Sequence, residues 1–265
     1  MSLRQVATEA STRTLYLAWQ DPDSRRWYTV GKLDHGKGMY VFNYTRGALE
    51  AKERGFTPIV SFPELRETYR SDRIFPLFAN QVMSRSRPEY ADYIQWLSIA
   101  EDKADPIAIL ARSGEHMTDT LEIFPHPERQ SDETYSAHFF VHGLRHQSTC
   151  AIERSMRLEP REDLLLMSDI QNPYDDNALA VRTAEKEEQD MHILGYLPRY
   201  LAGELATLDD SDVSKSRVTV VRVNPSPAPI HFRILCRLEM HWSRGTPPFS
   251  DVVYEPLSTG SANAQ

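Results

Sequence analysis

Cysteine is nearly absent: two residues in 265, Cys150 and Cys236, with no C-x-x-C pair. That usage excludes a disulfide framework and a zinc knuckle, and both thiols are expected to be reduced core residues. Long apolar runs are missing too. No stretch approaches the roughly 18 residues that a membrane helix needs, and Met1 to Thr14 has no apolar run of the secretory kind. A cytoplasmic protein without membrane association is therefore expected. The chain has no glycine-rich phosphate loop and no H-R-D-like segment, which removes the usual machinery of phosphoryl transfer. No Ser-His-Asp or Cys-His arrangement is assignable either, so no catalytic residue, cofactor or metal is expected. A surplus of positive charge is also lacking. The net charge is −8, which argues against a protein that coats nucleic acid through charge alone.

What is present is a balanced globular composition, 40% hydrophobic and 26% charged, with enough length for two ordinary domains. The halves differ in charge. Residues 1–130 carry 17 Lys+Arg against 18 Asp+Glu, whereas residues 131–265 carry 13 against 20. The first half opens with three alternating segments, LYLAW (15–19), RWYTVGKL (26–33) and MYVFNYT (39–45), the last two joined by the hairpin-forming DHGKG. This predicts an antiparallel meander. RGALEAKERGF then reads as a short helix ending at Gly55. SRPEYADYIQWLSIA reads as a stronger one, with Ser86 as N-cap, Glu89 completing a capping box, and Tyr90, Tyr93, Ile94 and Leu97 on one face. A third helix spans DPIAILARSG, and DTLEIFP returns to strand. The α+β domain so defined covers residues 1–126.

HPERQSDETYS (126–136) is polar and contains proline, which marks it as the boundary. Beyond it, AHFFVHGL, DLLLMSDI, NALAVR, MHILGYL, SRVTVVRV and IHFRILCRLEMHW read as strands, interrupted by one helix, PRYLAGELATL. Six short strands and one helix predict a mostly-β second domain, residues 136–242, built as a small closed or partly closed OB-like barrel. Residues 243–265 form a tail, and its final STGSANAQ is small, polar and expected to be disordered.

The stretch NPYDDNALAV (172–181) sets Pro and Tyr among four Asn and Asp side chains just before an apolar strand. Proline biases Asn172 out of the helical region, and Asn and Asp bond the backbone two residues on, so a turn is expected. A turn alone does not need the tyrosine. His138, His142 and His146 are spaced as H-x-x-x-H, but in extended chain four residues span roughly 13 Å, too far to share one zinc. Arg70, Arg73, Arg85 and Arg87 read as a solvated face paired with nearby Glu64, Glu67 and Asp72.

Taken together, MRLEPREDLLLMSDIQNPYDDNALAV, HILGYLPRYLAGELATL and the upstream VHGLRH resemble the HIRAN domain, over roughly residues 136–242. The resemblance implies an OB-like barrel whose pocket captures the free 3′ end of single-stranded DNA. Residue by residue, it implies that Tyr174 offers a stacking platform and that Asp175 accepts a hydrogen bond from a terminal hydroxyl. Asn172 and Asn177 hold the turn. Arg145, followed by His146, and Arg199 match positions that face the nucleic-acid backbone, with Tyr196 at the aromatic position before Arg199. The chain departs from the family's pattern in two places: His146 and Gln147 stand where aromatic residues follow the arginine, and an acidic insertion, AEKEEQD, lengthens the hairpin before HILGYL.

WYTVGKLDHGKGMYVFNYTRGA and FPLFANQVMSRSRPEY in the first half resemble the N-terminal subdomain of HipA-like proteins, and no kinase core follows them. The resulting expectation is a non-catalytic recognition protein for single-stranded DNA ends or unusual DNA structures. Enzymatic activity would be supplied by a protein partner in bacterial DNA processing or defence. A protein–protein adaptor that keeps the barrel without the pocket is the competing class, and a nuclease or phosphatase a third.

Overall fold

The computed structural model describes residues 12–114, 116–131, 133–184, 191–243 and 245–258. Residues 185–190 of the acidic insertion and 259–265 of the polar tail lie outside that set. The described residues fall into two compact units: one gathers the chain up to Val82, His116–Phe124 and the chain from Asp251, the other Met83–Glu115 and Pro125–Ser250.

The first unit is built on the expected meander, β1 (Arg13–Gln20), β2 (Trp27–Gly36) and β3 (Met39–Tyr44). Gly36 pairs with Met39, so Lys37 and Gly38 form a two-residue hairpin turn, both with positive φ (52° and 75°). Such a backbone matches the twist of the flanking strands. Helix α1 (Gly47–Glu53) follows, then β4 (Thr68–Ser71), α2 (Pro76–Ala79), β5 (His116–Thr118) and β6 (Leu121–Pro125). The sheet order is β4-β3-β2-β1-β6-β5. Its core is aromatic, with the Phe42 and Phe62 rings stacked at 4.1 Å and Tyr44 donating to the Phe62 carbonyl. Residues 251–258 of the expected tail belong to this unit. Thr45 bridges Pro256, and the Leu257 amide donates to the Tyr44 carbonyl.

The second unit takes α3 (Tyr90–Trp96) and α4 (Pro106–Ser113), which the sequence division had placed in the first domain. The predicted apolar face of α3 explains why: Tyr93 meets Phe232 edge-on at 5.9 Å, and the Trp96 carbonyl accepts from the Asn224 side chain. Helix α3 begins later than predicted, because Ser86 bonds Ser84 instead of capping and residues 84–90 form successive tight turns. For α4 the signals hold, with Asp105 accepting from the Ala108 amide and Gly114 left-handed at the end.

The boundary segment is itself structured. It contains β7 (Glu128–Ser131), a fully exposed strand paired with the start of β8 (Thr134–Phe140), and its all-polar composition hid it from an alternation search. Helix α5 (Thr149–Ser155), capped by Ser148, follows. Then come β9 (Asp163–Ser168), β10 (Leu179–Thr183), β11 (Ile193–Tyr196), α6 (Arg199–Leu205), α7 (Asp210–Lys215), β12 (Arg217–Val223) and β13 (Ile234–His241). Helix α6 is therefore one of three α-helices among the described residues of the barrel region. Cys236 is buried as expected, but Cys150, in the first turn of α5, is exposed.

All recorded pairings in this sheet are antiparallel, in the order β11-β10-β9-β12-β13-β8-β7. The sheet closes on itself. Just past β8, His142 pairs with Tyr196 of β11 through two backbone bonds, of 3.0 and 2.8 Å. Six strands thus enclose a core that includes Phe139, Leu164, Val181, Leu194, Val220 and Leu238, and closure joins the two ends of that six-strand run, with β7 left as the end strand of the sheet. Gly195 makes the seam possible: at φ +147° its Cα lies so near that a Cβ would stand 2.1 Å from the His142 carbonyl oxygen.

His138, on β8, is half-buried beside Arg112 and Arg237; burial and then these two charges push its pKa down to about 3. Between that value and the ordinary 6.5 the unfolded chain binds a proton that the folded chain refuses, so stability falls as pH drops through this window. Urea midpoints should decline from pH 7 to pH 4, and His138→Gln should flatten that decline.

Candidate nucleic-acid interface

The loop between β9 and β10 carries the NPYD stretch, and its shape follows from local hydrogen bonding. The Asn172 side-chain oxygen accepts from the Tyr174 and Asp175 amides at 3.0 and 3.2 Å. Asp175 in turn accepts from the Asn177 amide at 3.0 Å. Asn177 thus enters through its backbone, and the side chains that shape the turn are Asn172 and Asp175. The loop is closed at its base by the Asp169 amide donating to the Ala178 carbonyl. With its amide tied down, Tyr174 projects its ring into solvent at 83% exposure. An aromatic ring this exposed, on a backbone tied down by side chains, is not explained by core packing.

Two residues from the seam side hold this loop. Arg199, first residue of α6, donates to the Tyr174 carbonyl at 3.1 Å and places its Nε 3.3 Å from the Asp175 carboxylate. Tyr196, last residue of β11, donates its hydroxyl to Asp169 at 2.9 Å, and Asp169 also accepts from the Asn172 amide group at 3.2 Å. Burial, then the bond to Asp169 and its charge, raises the Tyr196 pKa, so the phenol stays protonated. Asp169 was not among the residues singled out from the sequence. Its signal was the spacing to Asn172, three residues on, at a strand end.

Asn172, Tyr174, Asp175, Tyr196 and Arg199 therefore form one connected cluster at the closing seam of the barrel. Arg145 and His146 do not bond to it. They follow left-handed Gly143 in a single 3-10 turn (Leu144–His146) just past the seam, and the Arg145 Nε donates to the His146 ring at 2.9 Å. Both are exposed. Among the described residues no carboxylate pairs with Arg145, whereas Arg199 lies 3.3 Å from the Asp175 carboxylate.

A closed antiparallel barrel with a short helix beside its seam and a polar loop presenting one aromatic ring is a small-barrel binding module of the OB-like class. Residues 134–242 match the HIRAN domain family. Among solved structures, a protein from Lactobacillus plantarum is 22% identical, covering 40% of this chain and 96% of its own, with a TM-score of 0.31. The HIRAN domain of human HLTF is likewise 22% identical, covering 42% of this chain and 78% of its own, with a TM-score of 0.28. No curated protein matches the chain.

Proposed function

We propose that this protein binds single-stranded DNA at its 3′ end through the HIRAN barrel, as the non-catalytic recognition component of a DNA-processing or defence system. The observation that carries the reading is Tyr174, exposed and fixed by Asn172, directly beside a carboxylate and a guanidinium. The ring stacks on the terminal base, Asp175 accepts from the terminal 3′-hydroxyl, and Arg199 faces the adjoining phosphate. Arg145 supplies a second positive charge on the other side of the seam. The absence of a phosphate loop from the sequence supports a role without turnover, in which a protein partner supplies any enzymatic step.

The Asp175–Arg199 pair sharpens the expected end preference. A 3′-phosphate arriving at Asp175 meets a carboxylate whose charge is partly balanced 3.3 Å away. It loses the hydroxyl bond, worth about 1.5–3 kcal/mol at a charged acceptor, and the repulsion is moderated. In fluorescence anisotropy with matched oligonucleotides we expect at least a tenfold preference for the 3′-hydroxyl end. Asp175→Asn should shrink the preference. Arg199→Ala should weaken hydroxyl-ended binding yet widen the preference, because it leaves Asp175 unbalanced. Tyr174→Ala should weaken both ends alike by about 1–3 kcal/mol. Equal affinity of the unaltered protein for the two ends sinks end capture, and no binding at low or moderate salt leaves the adaptor reading in its place.

A further inference from the structure

Of the arginines in the HIRAN barrel, four sit beside carboxylates: Arg154, Arg199, Arg217 and Arg237. Among the described residues Arg145, Arg233 and Arg222 have no carboxylate partner, and they are linked through His231, Met156 and the groove that Met156 lines. Arg145 bonds the His146 ring. Burial, and after it the Arg145 charge, holds the imidazole of His231, in the 3-10 turn Ile230–Phe232, below its ordinary pKa. Two residues on, Arg233 directs one guanidinium nitrogen at the Met156 sulfur (3.0 Å) and another at the Ala228 carbonyl (3.2 Å), while its Nε is buried with no partner. Met156 lines a groove of about 490 Å³, formed by the segment after α5, with Leu158 and Pro160, and by the end of β12, with Val221, Arg222 and Val223. Arg222, the third of the set, is steered by the Asn224 side-chain oxygen at 2.7 Å.

We propose that this groove is a second contact site for the same single strand, which passes from the end-binding cluster by Arg145 to Arg233 and Arg222. The inference rests on the end-capture reading for the strand's polarity, but not for the groove's chemistry. In a region of net negative charge, three successive guanidinium groups without carboxylate partners make a track suited to a polyanion. Apolar side chains between them offer surface for unstacked bases without reading their identity. A protein segment would fit the apolar lining, but it would leave the uncompensated cations of Arg222 and Arg233 unanswered.

The test is the dependence of affinity on oligonucleotide length. A trinucleotide reaches the end cluster alone, whereas a dodecanucleotide with the same 3′-hydroxyl end also reaches the groove. The intact protein should bind the longer strand at least tenfold more tightly. Arg222→Ala/Arg233→Ala should abolish that gain, leave trinucleotide affinity unchanged and reduce the slope of log affinity against log salt by about 1.4, near 0.7 per lost phosphate contact. Arg222→Lys/Arg233→Lys should restore the gain, which a purely structural role for the arginines does not predict. Equal affinity for both lengths, or a gain that survives in the alanine variant, overturns the groove assignment. A gain that persists without any preference for the 3′-hydroxyl sinks end capture and leaves the groove standing. Failure of every oligonucleotide to bind sinks both.

Discussion

Gly195→Ala is expected to open the barrel at its seam and to take the end-binding cluster with it. The added methyl would stand 2.1 Å from the His142 carbonyl oxygen and 2.8 Å from the Val141 side chain. The first of these is backbone and cannot rotate away. The positive φ of 147° adds strain for any residue with a Cβ. Relief requires breaking the two backbone bonds between His142 and Tyr196, so the cost should be about 2–4 kcal/mol, at the upper end for a single substitution. The Tyr196 hydroxyl would then leave Asp169, and the loop that presents Tyr174 would lose one of its two clamps. Amide hydrogen exchange at His142 and Tyr196 should accelerate, and affinity for a 3′-hydroxyl trinucleotide should fall together with stability. Gly203→Ala is the control. Nothing lies within 4 Å of a Cβ at that position of α6, so the change should stabilise by roughly 0.5–1 kcal/mol. Unchanged exchange in Gly195→Ala would show that the seam is not what holds the cluster together.

How much of this was legible depended on sequence separation. The hairpin at Lys37–Gly38, the caps of α4 and the Asn172 turn are each decided by interactions across two to four residues, and the meander was readable from the alternation within each strand and the short turn that joins β2 to β3. The Asn172 side chain, for instance, has its acceptor task set by the amides of Tyr174 and Asp175. The seam pairs His142 with Tyr196, 54 positions on, and nothing local to either residue announces it. The same holds for Arg199 with Asp175 and for Tyr196 with Asp169. A sequence gives these residues their chemical types but not their neighbours, so the ion pair that balances Asp175 became visible only in the fold. Strand β7 and helices α5 and α7 were missed for a different reason: each is short, and none carries the apolar periodicity that a pattern search requires. Residues 83–114 read as part of the first domain because chain continuity was the only guide, whereas the Tyr93 face takes Phe232 as its partner.

Glu162→Ala should be among the most destabilising substitutions in the second unit, and its effect bears on the groove. Glu162 and Arg154 are both more than nine-tenths buried, and the Arg154 guanidinium donates to one Glu162 carboxylate oxygen. The other oxygen accepts from the Glu159 amide at 3.0 Å. On either side, the Arg161 amide donates to the Val220 carbonyl and the Val220 amide to the Glu162 carbonyl, which fastens the segment after α5 to β12. That segment contributes Met156, Leu158 and Pro160 to the groove, so the buried pair fixes the position of one wall. Removing the carboxylate leaves the Arg154 charge buried beside a lost acceptor, which costs about 3–5 kcal/mol. Removing both charges together is different. Arg154→Met/Glu162→Leu fills similar volume with no ion to desolvate, and its cost should be smaller than that of Glu162→Ala alone. Urea unfolding of the two single alanine variants, Arg154→Ala/Glu162→Ala and the Met/Leu pair gives the coupling directly. Below its unfolding midpoint, Glu162→Ala should also lose part of the length-dependent gain in affinity, because the wall that carries Met156 is no longer held against β12. A Met/Leu variant that is less stable than Glu162→Ala would show that the pair contributes net stability and not merely mutual compensation.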